Sequence, residues 1–406
     1  MHIIFLSHYF PPEGNAPANR TFENCRRWVS KGCKVTVVTG VPNVPDGIIY
    51  QGYRNKLFQW EVMEGMDVLR VWTYIAPNKG VIRRILNYIS FMFFSLMGVF
   101  LIKRGDLVIA TSPQFFCAIG GYLFGKLKKI PFVLEIRDLW PESIVATEAL
   151  KSKRIIRFLE RLEMFLYQRA QKIIVVTESF KKKIAEKGIS SDKIFVIKNG
   201  VDLAFFYPME RNNEIREKFN LQNKFVVSYI GTLGMAHGLD GVLKVAEMLR
   251  NEKKIVFLFV GSGAEKERLV CEKAKKKLDN VIFAGRQPKA LMPLFYAASD
   301  ICLVSLKKDD LFQTVIPSKI FEIMAMARPI LLQVDGECRQ IVECAKAGIF
   351  VDPEDEIKVK ETVLAWHLQP GKFQELGRNG RKFVEQYFDR NQLADDYLEI
   401  LKRGSM

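Results

Sequence analysis

Residues 229–243, YIGTLGMAHGLDGVL, close a short apolar run and open a helical pattern, with Gly231, Gly234 and Gly238 between the two. A strand that passes into a helix through glycines lets main-chain N–H groups approach a phosphate, and the helix adds the positive end of its dipole. The spacing is not the dinucleotide fingerprint G-x-G-x-x-G, and a tight turn with no ligand would use the same letters. GSG at 261–263 repeats the arrangement more weakly.

Outward from this junction, apolar runs alternate with stretches of helical period. Strands are expected near 225–230, 255–260, 281–284, 301–305, 329–334 and 349–351. An earlier series stands near 2–8, 34–39, 67–73, 107–111, 132–136, 172–176 and 194–197. Such alternation is the signature of α/β architecture, and each series suits a doubly wound domain with its ligand site beyond the carboxyl ends of the strands. VDLAFFYPMERNNEIREKFN, from Val201 to Asn220, reads as a linker followed by a helix. A chain of 406 residues, 49% hydrophobic, is large enough for two such domains. Small-molecule sites favour the crevice that two facing domains would form.

The opening MHIIFLSHYF lacks a basic leader and a cleavage site and reads as a buried strand, so no secretory signal is expected. Seven scattered cysteines suit reduced thiols in a cytosolic compartment. Cys338, Glu343 and Cys344 have no histidine beside them, so no metal site is expected. The net charge of +16 is uneven: residues 1–205 hold 30 Lys+Arg against 17 Asp+Glu, and the remainder 31 against 28. The first half therefore faces something anionic. Aromatics do not interleave with the basic clusters, which argues against nucleic acid and leaves an acidic membrane surface.

Ile85 to Ile102, ILNYISFMFFSLMGVFLI, is free of charge and framed by Arg83-Arg84 and Lys103-Arg104. It can be a helix dipping into one leaflet, a buried core helix or a membrane span. The first is adopted, as monotopic attachment to the anionic inner face of the cell membrane, with the protein cytoplasmic. Residues 151–170 place Ile155, Phe158, Leu159, Leu162, Phe165 and Leu166 at helical spacing beside Lys151, Lys153, Arg154, Arg157 and Arg161. That pattern fits a core-packed helix with a solvated basic face as well as membrane contact.

Three further loops carry candidate chemistry. HYFPPEGNAPANR (8–20) follows the first strand and contains Gly14. EIRDLWPES (135–143) puts charges at a strand's carboxyl end, where Asp138 or Glu135 could orient or deprotonate an acceptor hydroxyl; a surface network of Arg137, Asp138 and Glu142 is the bland alternative. TVIPSKIFEIMAMARPI (314–330) predicts a helix from Ser318, with Lys319 and Glu322 on one face. A carboxylate there can bind both hydroxyls of a ribose while the ammonium neutralises a phosphate, or the two can simply form a salt bridge.

In their order and spacing, FPPEGNAPANR, RDLWPES, VVTESFKKKI, IKNGVD, YIGTLGMAHGLDGVL, FVGSG, AGRQP, YAASDICLVSL and PSKIFEIMAMARPI resemble the retaining family 4 glycosyltransferases of GT-B fold. The resemblance covers nearly the full length and is closest to bacterial surface-polysaccharide enzymes of the fucosamine-transferring kind. It implies two facing Rossmann-like domains: 1–205 with 388–406 for the acceptor and membrane, and 206–387 for the donor. It implies a nucleotide-sugar co-substrate, UDP-linked and in some members an N-acetylated amino sugar, and a lipid-linked saccharide acceptor of O-antigen or capsule assembly. It implies no metal, no resident cofactor and no protein nucleophile.

On that resemblance Glu322 falls at the second carboxylate of an E-x7-E motif, and Asp138 on the Asp of a His-Asp motif with Arg137 in the His place. The donor candidates are Gly14, Gly231, Thr232, His237, Gly261, Arg286, Ser318, Lys319 and Glu322. Glu13, Arg137 and Asp138 lie on the acceptor side, and Asp138, Lys319 and Glu322 form the catalytic set. Departures from the pattern are Thr314 in place of the first carboxylate, Thr232 and His237 in place of two phosphate-clamping cations, and one glycine rather than two in the first loop. Lys319, with His237 or Arg286, is expected to supply the missing charge. A sugar-nucleotide 2-epimerase and an inactive sugar-nucleotide-binding membrane scaffold are the alternatives on the same fold.

Overall fold

The computed structural model describes residues 1–44, 47–76, 81–112, 114–146 and 152–403. The chain forms two compact units, Met1–Lys198 with Arg390–Met406, and Asn199–Asp389. Each border differs from the expected one by a few residues for a packing reason. Val201 bridges to Asp389, and Val201 and Phe388 both enter the core of the second unit.

In chain order the first unit runs β1 (His2–Leu6), α1 (Ala16–Ser30), β2 (Lys34–Thr39), β3 (Phe58–Met63), β4 (Met66–Val71), α2 (Val81–Met97), β5 (Leu107–Ser112), α3 (Phe115–Lys128), β6 (Phe132–Ile136), α4 (Glu142–Ala146), α5 (Lys153–Arg169), β7 (Lys172–Val175), α6 (Glu178–Glu186) and β8 (Ile194–Val196). The second runs α7 (Glu214–Lys218), β9 (Phe225–Ile230), α8 (Leu239–Met248), β10 (Ile255–Val260), α9 (Lys266–Lys276), β11 (Val281–Gly285), α10 (Met292–Ala297), β12 (Ile301–Ser305), α11 (Lys319–Ala325), β13 (Ile330–Gln333), α12 (Glu337–Cys344), β14 (Gly348–Phe350), α13 (Glu356–Leu368) and α14 (Pro370–Tyr387). A last helix, α15 (Arg390–Lys402), returns to the first unit.

The sheet orders are β3-β4-β2-β1-β5-β6-β7-β8 and β11-β10-β9-β12-β13-β14. Central strands such as β1 bury Ile3, Ile4, Phe5 and Leu6 completely, as expected where helices cover both faces of a parallel sheet. Every strand expected from the sequence is present, and one more, β3, pairs antiparallel with β4 through a turn at Glu64 and Gly65, both at positive φ. At the sheet edge, Trp60 and Val62 of β3 stay exposed although FQWEVM alternates apolar and polar residues, so its alternation marks an edge strand and not a buried run.

The α15 helix is held by the Trp28 indole N–H donating to the Ala394 carbonyl at 2.9 Å and by the bidentate Arg27–Asp395 pair. Deeper in, Glu135 of β6 accepts from Arg20 Nε at 2.9 Å and from the Tyr397 hydroxyl at 3.1 Å. Burial alone would raise its pKa, but Arg20 and Arg137 outweigh that and hold it low. Glu135 is therefore a buried ionic tie between β6, α1 and α15, which removes it as an orienter or base for an acceptor.

The charge-free segment is two-faced. Asn87, Phe91 and Ser95 of α2 are buried, and Asn87 Nδ2 donates to the Tyr74 carbonyl at 2.7 Å. Asn87, with Ser90 accepting the Tyr74 amide at 2.8 Å, thus pins the helix to the chain after β4, while Ser95 donates within α2 to the Met92 carbonyl. The outer face exposes Ile85, Leu86, Ile89, Phe93 and Met97, and the 3₁₀ turn over 98–101 exposes Phe100 at 80%. A wholly buried core helix is therefore ruled out. Arg83–Leu101 is long and apolar enough to cross a membrane by length and composition. The α3 helix packs against α2 and α5, with Tyr122 against Phe165 of α5 at 5.2 Å. Ile155 and Phe158 of α5 are also exposed, beside exposed Lys153, Arg154, Arg157 and Arg161; Lys151 lies outside the described residues.

Candidate functional site

In the second unit the loops after β9, β10 and β11 join at the carboxyl end of the sheet. Gly231 N–H donates to the Val260 carbonyl at 2.8 Å, and Gly261 N–H to the Gly285 carbonyl at 2.9 Å. Gly231 has φ of 145° and Gly261 of 140°, a region L side chains rarely adopt. A Cβ on Gly261 would collide with the Gly231 carbonyl oxygen, and one on Gly231 would stand 2.7 Å from Lys319 Nζ. The glycines thus serve close backbone packing and clear a space that Lys319 enters. Because the Gly231 and Gly261 amides are already bonded, they are not the phosphate donors the sequence suggested. Among the described residues, the amides of Thr232 and Gly234 donate to no main-chain carbonyl.

Lys319 begins α11 and sends its ammonium back over Tyr229 of β9, 4.0 Å from the ring centroid. Nζ is buried without a hydrogen-bond partner among the described residues. Burial lowers its pKa to about 8, opposed by the charge of Glu322. The Tyr229 hydroxyl donates to the Thr232 carbonyl at 2.8 Å and so braces the glycine loop above the cation. His237 sits in the 3₁₀ turn Met235–His237, its Nδ1 3.4 Å from the Ser305 carbonyl. Burial first, and Lys319 second, lower its pKa to about 4. At neutral pH His237 is uncharged, and Lys319 carries the standing positive charge at this loop.

Glu322 lies one turn on from Lys319, and its Oε2 accepts the Tyr296 hydroxyl at 2.8 Å. That bond fixes the carboxylate's orientation. Ser318 stands at the cap position of α11 but makes no side-chain cap hydrogen bond, so capping does not account for it. Thr314, where the family pattern has a carboxylate, donates to the Leu311 carbonyl at 2.6 Å and closes the turn Phe312–Thr314. Arg286 follows β11 directly and is exposed. Tyr229 and Tyr296 were missed in the sequence, where each reads as one more apolar residue of a strand or helix.

In the first unit, Glu13 is 3% exposed and its Oε1 accepts the amides of Asn43 at 2.9 Å and Val44 at 3.0 Å. Burial raises its pKa to about 7 against those bonds. Gly14 has neither a left-handed φ nor a neighbour that would meet a side chain, so the fold itself does not demand glycine there. Arg137 NH1 donates to the Pro17 carbonyl at 2.8 Å, and Arg137 Nε lies 3.5 Å from Glu135. It belongs to the buried tie, while Glu142 pairs with Lys187 at 2.9 Å, so the surface network of Arg137, Asp138 and Glu142 does not form. Asp138 follows β6, and burial raises its pKa against bonds from Ser143 and Leu139. Among the described residues, four buried polar atoms near these loops have no hydrogen-bond partner: His8 Nδ1, Asn43 Oδ1, Thr73 Oγ1 and Arg137 Nε. No spacing rule in the sequence marks them.

Residues 15–200 match the glycosyl transferase 4-like domain and residues 211–383 the glycosyl transferases group 1 domain. WcaI of Escherichia coli strain K12, a glycosyl transferase named for colanic acid biosynthesis, is 23% identical over 99% of this chain and 100% of its own. WbjE of Pseudomonas aeruginosa, named as a glycosyltransferase, is 26% identical over 64% of this chain and 66% of its own. Among solved structures, Anabaena Alr3699/HepE in complex with UDP-glucose superposes with a TM-score of 0.74 at 16% identity, covering 99% of this chain and 100% of that one. This likeness shows the fold, two Rossmann-like α/β domains of GT-B type.

Proposed function

The chain belongs to the glycosyltransferases that pair a 4-like domain with a group 1 domain, and from that premise we propose that it moves a sugar from UDP to a lipid-linked saccharide during bacterial surface-polysaccharide assembly. The carrying observation is Lys319, a buried ammonium without a hydrogen-bond partner among the described residues, in a space kept open by Gly231. A cation withdrawn from water and left unpaired is costly to the fold, and a diphosphate arriving at the glycine loop would satisfy it. UDP as the nucleotide is supported by the UDP-glucose complex of HepE. The polysaccharide role is supported by the full-length match to WcaI.

In this reading Glu322, oriented by Tyr296, holds the ribose hydroxyls. Lys319 counters the charge that grows on the diphosphate as the bond from the sugar's C1 to phosphate oxygen breaks. The acceptor oxygen bonds to C1 on the same face, its proton passes to the departing phosphate oxygen, and configuration is retained. Asp138 positions the acceptor and is not a base. With Lys319 as counter-charge, a divalent metal is not required. The apolar outer face of α2 with its basic flanks seats the first unit on the inner leaflet, beside the lipid-held acceptor.

The test is a panel of nucleotide sugars incubated with protein and membrane extract, reading released nucleotide and glycolipid mass. A new glycolipid with stoichiometric UDP supports the proposal. An isomerised nucleotide sugar with no glycolipid would replace it with epimerase chemistry, and binding without turnover across all acceptors would replace it with a scaffold.

A further inference from the structure

The opposite end of the second unit's sheet holds a cavity of about 960 Å³. Its lining includes Phe225 at the start of β9, Lys254 before β10, Asp300 before β12 and Pro329 before β13. It is therefore separated from Gly231 by the length of a six-residue strand, roughly 20 Å. The volume lies within the range of small-molecule pockets.

The lining is strongly cationic. It contributes Arg211, Lys224, Lys254, Arg328 and Arg378 against one carboxylate, Asp300. Asp300 is already engaged by Arg211 at 2.5 Å, Arg216 at 2.7 Å and the Val226 amide at 2.7 Å. It has little left to neutralise the rest. Lys254 and Arg378 are exposed and have no ion-pair partner among the described residues. Arg328 spends NH2 on the Met209 carbonyl at 3.1 Å, but its Nε is buried with no hydrogen-bond partner among the described residues, and so is Trp366 Nε1. Buried donors are rarely left unpaired in a fold with nothing to bind. The walls add planar surface through half-buried Phe373, stacked on the buried Trp366 at 4.8 Å, and half-buried His367, 5.2 Å from the buried Phe225.

The geometry points to a second ligand site, for a small phosphorylated molecule whose phosphates meet Arg328, Arg378 and Lys254 while its body lies along the aromatic wall. It is remote from the donor end and does not depend on how that end is read. A phosphate can come from a soluble metabolite or from an anionic lipid headgroup, and the two are separable.

Trp366 is the sole tryptophan between residues 199 and 389, so its fluorescence reports on the cavity. Titration with inorganic pyrophosphate should give a saturable change that Trp366→Phe abolishes. Lys319→Met, at the other end of the sheet, should leave it intact. Lys254→Glu with Arg378→Glu, both at exposed positions, should weaken it at least tenfold; Arg328→Gln should do the same in the cavity floor. A response to phosphatidylglycerol vesicles but not to pyrophosphate assigns the phosphate to a lipid headgroup. No saturable change with either probe, or full affinity after the double charge reversal, overturns the site.

Discussion

Replacing Lys319 with methionine keeps the length of the side chain and deletes its charge, and the two consequences should run in opposite directions. The ammonium titrates near 8 in the fold against 10.5 as an ordinary lysine, with burial as the cause. At ~1.4 kcal/mol per pH unit, that gap is a penalty of roughly 3 kcal/mol carried by the folded protein. The sign follows from proton counting. Below pH 8 both states are protonated and the penalty is complete; between 8 and 10.5 the unfolded state binds more protons, so wild-type stability recovers as pH rises. The attraction of Glu322 is already contained in that shift, and losing the contact over Tyr229 offsets part of the gain. Lys319→Met is therefore expected to be more stable than wild type by about 1–3 kcal/mol at pH 7, the advantage fading towards pH 10.5. Turnover should fall by roughly 10²–10³, the usual loss when one transition-state counter-charge is removed. Urea unfolding across pH and a released-UDP assay measure the two. A variant that is less stable than wild type at pH 7, or a stability difference unmoved by pH, would refute the reasoning.

Glu13→Gln should match wild type in stability near pH 4.5 and exceed it above pH 7, because the fold disfavours the charged carboxylate through burial; thermal unfolding at both pH values checks this. Gly261→Ala forces a methyl into the Gly231 carbonyl at a φ of 140° and should cost roughly 2–4 kcal/mol or prevent folding. Gly14→Ala meets nothing and should leave stability within about 0.5 kcal/mol, so denaturant midpoints separate the two glycines. Phe93→Ser with Phe100→Ser removes two exposed rings and should reduce partitioning onto anionic vesicles roughly ten- to a hundredfold, with the fold intact. Phe94 is less suitable, because it packs on Trp72 at 5.0 Å.

Much of the architecture was legible because parallel strands buried on both faces leave continuous apolar runs, as in Ile3–Leu6 and Phe225–Ile230. The β3 strand was not: Phe58, Trp60 and Val62 alternate with Gln59 and Glu61 instead of forming a continuous apolar run, and its pairing depends on a turn rather than on burial. In the candidate site, spacing joined Lys319 to Glu322 but could not show where either side chain goes. Tyr229 beneath the ammonium and Tyr296 on the carboxylate are contacts between residues far apart in sequence. Charge states were hidden for the same reason: His237 reads as a possible cation until its burial is known. Arg137 and Glu135 look like surface chemistry at the end of a strand, and only the return of α15 with Tyr397 shows them enclosed.

The most direct test compares UDP with uridine for binding to wild type and to Lys319→Met by calorimetry. If the buried ammonium is the partner of the diphosphate, wild type should prefer UDP strongly, and the variant should lose most of that preference while binding uridine unchanged. An equal preference for UDP in both proteins would contradict the account.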